Sequence, residues 1–302
     1  ELRWYAMVDG KEVEVADGAP FRHGEDVVKP ISRTFIPSRV RDNPYLMGTG
    51  YMATLQALPE PLRSQMLHGD FTAGTEDDIW QVCPTAWVEA AQARWQRPDR
   101  LAPMDSVGVD VARGGRDETI IARRHGMWFD TPLAYPGRST PDGPTVAGLS
   151  IAAKRDDAVI HIDVIGVGAA PYDFLRDAGQ QVVGVNVSEA ATAPDRSGRL
   201  RFKNLRSELV WRMREALDPA TNSGIALPPD PRLLADLTAY TWSLVGATVY
   251  VASREEIVAR IGRSPDYGSA YVLALIDTPK RSVIEALGPR RRAAYDPYAN
   301  LR

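Results

Sequence analysis

SVGVDVARGGRDETIIARRHGMWFDTPLAY, residues 106–135, decides the fold. Short β-branched and aromatic runs are broken at ARGGRDE and at His125-Gly126. The stretch therefore reads as three strands, SVGVDVA, TIIARRH and MWFDTPLAY, in an antiparallel meander. Beyond it the pattern alternates. A helix from about Pro144 to Lys154 precedes a fourth strand, AVIHIDVI, after which VGAAPYDFLRDAG forms a helix closed by Gly179 and QVVGVNV a fifth strand. Crossovers through helices give strands one, four and five a common direction, with strand one in the centre. Sites in such sheets lie at the carboxyl ends of the strands.

Two aspartates stand at those ends, Asp110 and Asp163. Aspartate is depleted in strands and costly to bury alone, so a neighbouring pair points to a divalent cation. A third, Asp266, opens the last helix, SPDYGSAYVLALIDTP. Taken singly it reads as a first-turn dipole partner. Magnesium prefers oxygen ligands and takes one or two carboxylates beside waters and substrate phosphates, so three carboxylates can serve two ions. In that arrangement Asp110 bridges, Asp163 holds one Mg²⁺ or Mn²⁺ and Asp266 the other. His161 shares a face with Asp163 and reads as an inner residue. Asp117 reads as the cap of the first hairpin turn.

Positive charge gathers at Arg196, Arg199, Arg201, Lys203 and Arg206, in and just after the loop SEAATAPDRSGRLRFKN, and again at Arg254, Arg260 and Arg263 ahead of Asp266. Such side chains supply affinity for DNA phosphates without reading sequence, and a solvated basic loop looks the same. LRSELVWRMREAL, LLADLTAYTW and REEIVARIG read as helices, and GATVYVAS as a hairpin or edge strand.

The 302 residues carry a net charge of −3, which excludes a chain coated in positive charge but not a local basic surface. Cys83 is the single cysteine, so no internal disulfide or thiolate-rich metal site exists. His23, His68, His125 and His161 lack zinc-site spacing, and most of the tryptophans read as core. Neither a phosphate-binding Walker loop nor a strand-linked GxGxxG occurs. No apolar run of about 18 residues and no signal-peptide pattern is present, which points to the cytosol.

Glu1 opens the chain without an initiator Met, and WYAMVDGKEVEV reads as a hairpin turning at Asp9-Gly10. Short helices follow from about Gly50 to Leu58 and from Pro59, and PTAWVEAAQARW forms another. The proline-broken RPDRLAPMDS places a boundary near Arg100. The expected organisation is a small α/β region at 1–100, a main domain at 101–282 and a flexible basic tail at 283–302.

The order of elements, three meander strands followed by helix, strand, helix, strand and helix, is that of a ribonuclease H-like mixed sheet. GVDVARGGRDETII, IHIDVIGVGAAPYDFLRDAG and SREEIVARIGRSPDYGSAYVLAL resemble the three nuclease motifs of the large terminase subunit of tailed bacteriophages. Residues 31–71 resemble the end of that family's ATPase region, which implies Walker motifs upstream. The resemblance implies a metal-dependent endonuclease that cuts concatemeric duplex DNA during genome packaging in the host cytoplasm, with the small terminase subunit and the portal as partners. Asp110, Asp163 and Asp266 would be its catalytic metal ligands, while Arg199, Arg201, Lys203, Arg206 and Arg263 are the DNA contacts expected from the placing of charge alone. One departure is Ser269, where many relatives carry a second acid. A non-catalytic DNA-gripping role in the packaging motor is the alternative. A sugar kinase of the actin-like class lacks its second phosphate loop here.

Overall fold

The computed structural model describes residues 2–8, 11–24, 26–34, 43–47, 50–56, 58, 63, 66–67, 78, 80–112 and 117–277. Asp9-Gly10, the helix expected from Pro59, the 113–116 turn and the 283–302 tail lie outside them. Contacts divide the chain into two compact units, Glu1–Thr75 and Glu76–Arg302.

In the first unit β1 (Leu2–Val8) pairs antiparallel with β2 (Lys11–Val15) and with β5 (Ile31–Thr34). A hairpin joins β3 (Phe21–His23) to β4 (Asp26–Val28), and two short helices follow, α1 (Pro44–Met47) and α2 (Tyr51–Gln56).

The second unit begins upstream of the boundary read near Arg100. Its first helix, α3 (Thr85–Ala93), is tied to residues far along the chain: Gln92 Nε2 donates to Pro228 O at 3.0 Å and Trp95 Nε1 to Phe129 O at 2.7 Å. RPDRLAPMDS is thus a connection inside this unit, pinned where Met104 N donates to Asp156 Oδ2 at 2.7 Å. Its prolines break secondary structure without ending the packing.

Six strands form the main sheet: β6 (Ser106–Asp110), β7 (Glu118–His125), β8 (Trp128–Phe129), β9 (Leu133–Pro136), β10 (Val159–Asp163) and β11 (Val182–Val185). Their order is β11-β10-β6-β7-β8, with β9 also on β7. β10 runs parallel to both β11 and β6, and β7 antiparallel to β6, the ribonuclease H-like order expected. MWFDTPLAY is two strands, not one. Pro132 has no N–H to offer the ladder, and the Asp130 carboxylate turns to Thr131 N at 2.8 Å and to Arg123 at 2.8 Å.

Alternation along β6 and β10 sorts the two faces. Val107, Val109, Ile160 and Ile162 pack with Val146 and Leu175 of α4 (Gly143–Ala153) and α5 (Ala169–Asp177). Asp142 caps α4 by accepting from Thr145 N at 3.0 Å, and Gly179 closes α5 at φ +70°. The opposite face receives the last helix, α9 (Asp266–Ala274), crossing β6 at Gly108. A Cβ there would lie 2.1 Å from Ala270 O and 2.4 Å from Ala274 N, so only glycine admits this approach.

Around α9 pack α6 (Leu205–Leu217) and α7 (Pro231–Ala239). GATVYVAS supplies one strand of a separate small sheet, ordered β12 (Arg201–Phe202), β14 (Thr248–Val251), β13 (Trp242–Val245). Then α8 (Arg254–Ile261) runs from a Ser253–Glu256 capping box to Gly262 at φ +75°. Among the described residues no helix is long and apolar enough to cross a membrane.

Candidate functional site

Gly108 and Asp110 are two residues apart on one strand, so both face α9. Ala270 sits over Gly108, and Asp266 is one turn earlier in α9, toward the carboxyl end of β6. The close crossing thereby carries Asp266 to Asp110. Asp163 ends the neighbouring parallel strand, one residue past the Ile162–Val109 register pair. The three aspartates read from sequence therefore come to one edge from three elements.

Their surroundings differ. Asp266 is buried at 6 % exposure; its Oδ2 accepts Glu118 N–H at 3.1 Å, its Oδ1 makes no hydrogen bond, and Arg254 lies 3.5 Å away. Asp163 accepts Ile165 N–H at 2.9 Å. Burial, and then the charge of Asp266, push the Asp110 carboxyl well above the usual carboxylate range; Asp163 adds to it. Asp163 and Asp266 are raised as well, burial being the main cause for each. Arg254 offsets part of this crowding, and the pKa values stay raised all the same. A hard divalent cation ligated by oxygen would suit such a cluster, in which Asp266 Oδ1 makes no hydrogen bond and has Arg254 3.5 Å away. Among the described residues, no group of three His, Cys, Asp or Glu stands ready-gathered around one ion position.

The cations around the site differ in burial and in their partners. Asp117, whose expected turn lies outside the described residues, pairs with Arg254 at 3.2 Å, and Arg254 in turn reaches Asp266 and donates to Ser264 Oγ at 2.8 Å. Arg263, expected among the DNA contacts, is committed to Asp236 at 2.5 Å. Arg199, Arg201 and Lys203 are exposed, whereas Arg206 is half-buried. His161 is fully buried and its pKa falls to about 4 by desolvation, as suits an inner residue.

Sequence reasoning missed Asp236 and Tyr240. Asp236, fully buried on α7, accepts Gly268 N–H at 3.1 Å and so caps α9 from outside it, holding Asp266 in place. A lone acid in an amphipathic helix reads as a solvent-facing residue, and nothing local marks it otherwise. Tyr240 follows α7, fully buried, with its hydroxyl 3.3 Å from Ser269 Oγ. A cavity opens at the aspartates, with Asp110, Asp163, Arg206, Tyr240 and Ser269 in its polar wall and Val187, Leu209 and Val272 among its apolar lining.

No protein-family model matches the chain, and no curated protein matches it in sequence. Solved structures do share its fold. The nuclease domain of the large terminase subunit gp2 of bacterial virus Sf6 matches over 66 % of this chain and all of that domain, at 17 % identity and a TM-score of 0.53. A mutant of that domain with calcium matches at 17 % identity and 0.54, and a mutant with manganese and beta-thujaplicinol at 16 % and 0.52, with the same coverage. At such identity the likeness establishes the fold.

Proposed function

We propose that this chain is the nuclease part of a viral DNA-packaging terminase, hydrolysing phosphodiester bonds of concatemeric duplex DNA in the host cytoplasm with Mg²⁺ or Mn²⁺. The observation that carries the reading is the approach of Asp110, Asp163 and Asp266, from β6, β10 and α9, with Asp110 and Asp163 lining one cavity. These carboxylates would hold two ions. When bound, the ions supply an activated water and stabilise the leaving oxygen of the displaced phosphodiester.

The chain itself does the rest. β6 and α9 lock at Gly108, so Asp110 and Asp266 are presented by rigid elements. Asp236 fixes the first turn of α9, and Arg254 balances Asp266 and Asp117. Exposed Arg199, Arg201 and Lys203 would track the DNA backbone, and the small terminase subunit and portal would be partners in the assembled motor.

Incubating plasmid with the protein and Mn²⁺ or Mg²⁺ tests the reading: the wild type nicks and linearises it, and Asp110→Ala does not. Equal behaviour of the two proteins would favour a DNA-gripping role without catalysis, the reading that neutral Ser269 keeps open.

A further inference from the structure

We propose that Arg206 positions the phosphate: its guanidinium, in the cavity wall, grips a non-bridging oxygen of the phosphodiester presented to Asp110 and Asp163. The proposal rests on the nuclease reading and adds to it a residue that acts on the substrate rather than on the cation.

Arg206 lies in the first turn of α6, where positive charge opposes the helix dipole. Helix stability therefore gives no reason for it. Its Nε donates to Ala252 O at 3.2 Å and the guanidinium carbon stands 5.9 Å from the Tyr240 ring centroid. Nη2 is buried and makes no hydrogen bond among the described residues. A buried donor left unmade bears its desolvation penalty with nothing in return. The arginines nearest the site are otherwise spent: Arg254 on Asp117 and Asp266, and Arg263 on Asp236. Arg206 forms no ion pair with a carboxylate among the described residues, although its charge is felt by Asp163 across the cavity.

That combination suits an anion arriving from solution. A guanidinium presents a planar fork of donors matched to phosphate oxygens and stays charged when desolvated. The α6 terminus is not itself the receptor, because Leu205 N and Arg206 N already donate to Glu189 O and Val187 O at 2.8 and 2.9 Å. The Tyr240 and Ser269 hydroxyls, in the same wall and hydrogen-bonded to each other, leave one O–H to donate beside Arg206. Arg199 and Arg201, exposed on the preceding loop and at the start of β12, would contact flanking phosphates and orient no reacting atom.

The test compares wild type, Arg206→Ala and Arg206→Lys in two arms. In EDTA, binding of a labelled 20-base-pair duplex is followed by fluorescence anisotropy across a salt series. Arg206→Ala is expected to bind more weakly, with its salt slope reduced by about one. In Mn²⁺, kcat is expected to fall about 100-fold in Arg206→Ala, with calorimetric Mn²⁺ affinity unchanged. Millimolar guanidinium should restore kcat to Arg206→Ala, and Arg206→Lys should retain part of it. Wild-type kcat in Arg206→Ala, or a loss that tracks a lowered melting temperature and is not rescued, would overturn the proposal. If the wild type cuts no better than Asp110→Ala, the nuclease reading fails and the EDTA arm decides alone. An unchanged Kd and salt slope there would then sink the phosphate grip.

Discussion

The two ends of the β6–α9 contact are built from opposite chemistry. At the amino end of β6, Arg124 is buried and its donors are satisfied: Nε gives to Ala274 O at 2.6 Å and Ser106 Oγ at 3.2 Å, Nη1 to Gly126 O at 3.0 Å, and Nη2 reaches Asp277 at 2.5 Å. The last carbonyls of α9 meet a cation, as the helix dipole favours. At the carboxyl end carboxylates crowd together, and of the cations Arg254 reaches Asp266, at 3.5 Å. Asp110, Asp163 and Asp266 converge, their pKa values rise, and Asp266 Oδ1 has no hydrogen-bond partner. A single strand–helix crossing thus holds a finished joint at one end and an unfinished one at the other. The unfinished end is the one that needs something from solution.

The crossing itself is the place to break this comparison most completely. Gly108→Ala would drive a methyl into backbone that cannot yield, and overpacking of this kind typically costs about 1–3 kcal/mol or more. Chemical denaturation is expected to show a loss at or above the top of that range, with cleavage lost along with it. Arg124→Met attacks the finished end alone. Ala274 O and Ser106 Oγ lose their bonds to Arg124 and keep only the one between them, and about 1–3 kcal/mol should be lost in a urea titration. Mn²⁺ affinity per folded molecule should stay that of the wild type, since the aspartates are at the other end of the helix.

Asp236 sharpens the comparison from the unfinished side, through pH. Burial lifts its pKa to about 6, against about 3.9 for an unperturbed aspartate. Between those values the folded state binds the proton more readily than the unfolded one, so stability is gained as pH falls through about 6 and lost as it rises. Asp236→Asn cannot titrate. Its stability relative to wild type in EDTA should therefore be greatest near pH 8 and decline toward pH 4.5. A difference independent of pH would show that Asp236 is not held in the folded protein as described.

Much of this was legible in the chain. Alternating apolar residues in SVGVDVA and AVIHIDVI announced β6 and β10, and Gly179 and Gly262 marked the ends of α5 and α8. Strand order followed from the crossovers, and with it the adjacency of Asp110 and Asp163. What stayed hidden depends on contacts distant in sequence. Arg263 looked available for DNA until α7 brought Asp236 against it. The boundary near Arg100 rested on prolines, whereas α3 packs against residues 225–230, more than a hundred positions away. MWFDTPLAY kept the strand pattern while Pro132 cut its ladder.

The central claim is that the carboxyl end of β6 is completed by divalent cations. Crystals of the protein soaked in Mn²⁺ and measured for anomalous scattering test it directly. Two peaks about 3.5–4 Å apart, shared among Asp110, Asp163 and Asp266, are the expected result. An empty anomalous map at these three carboxylates would contradict it.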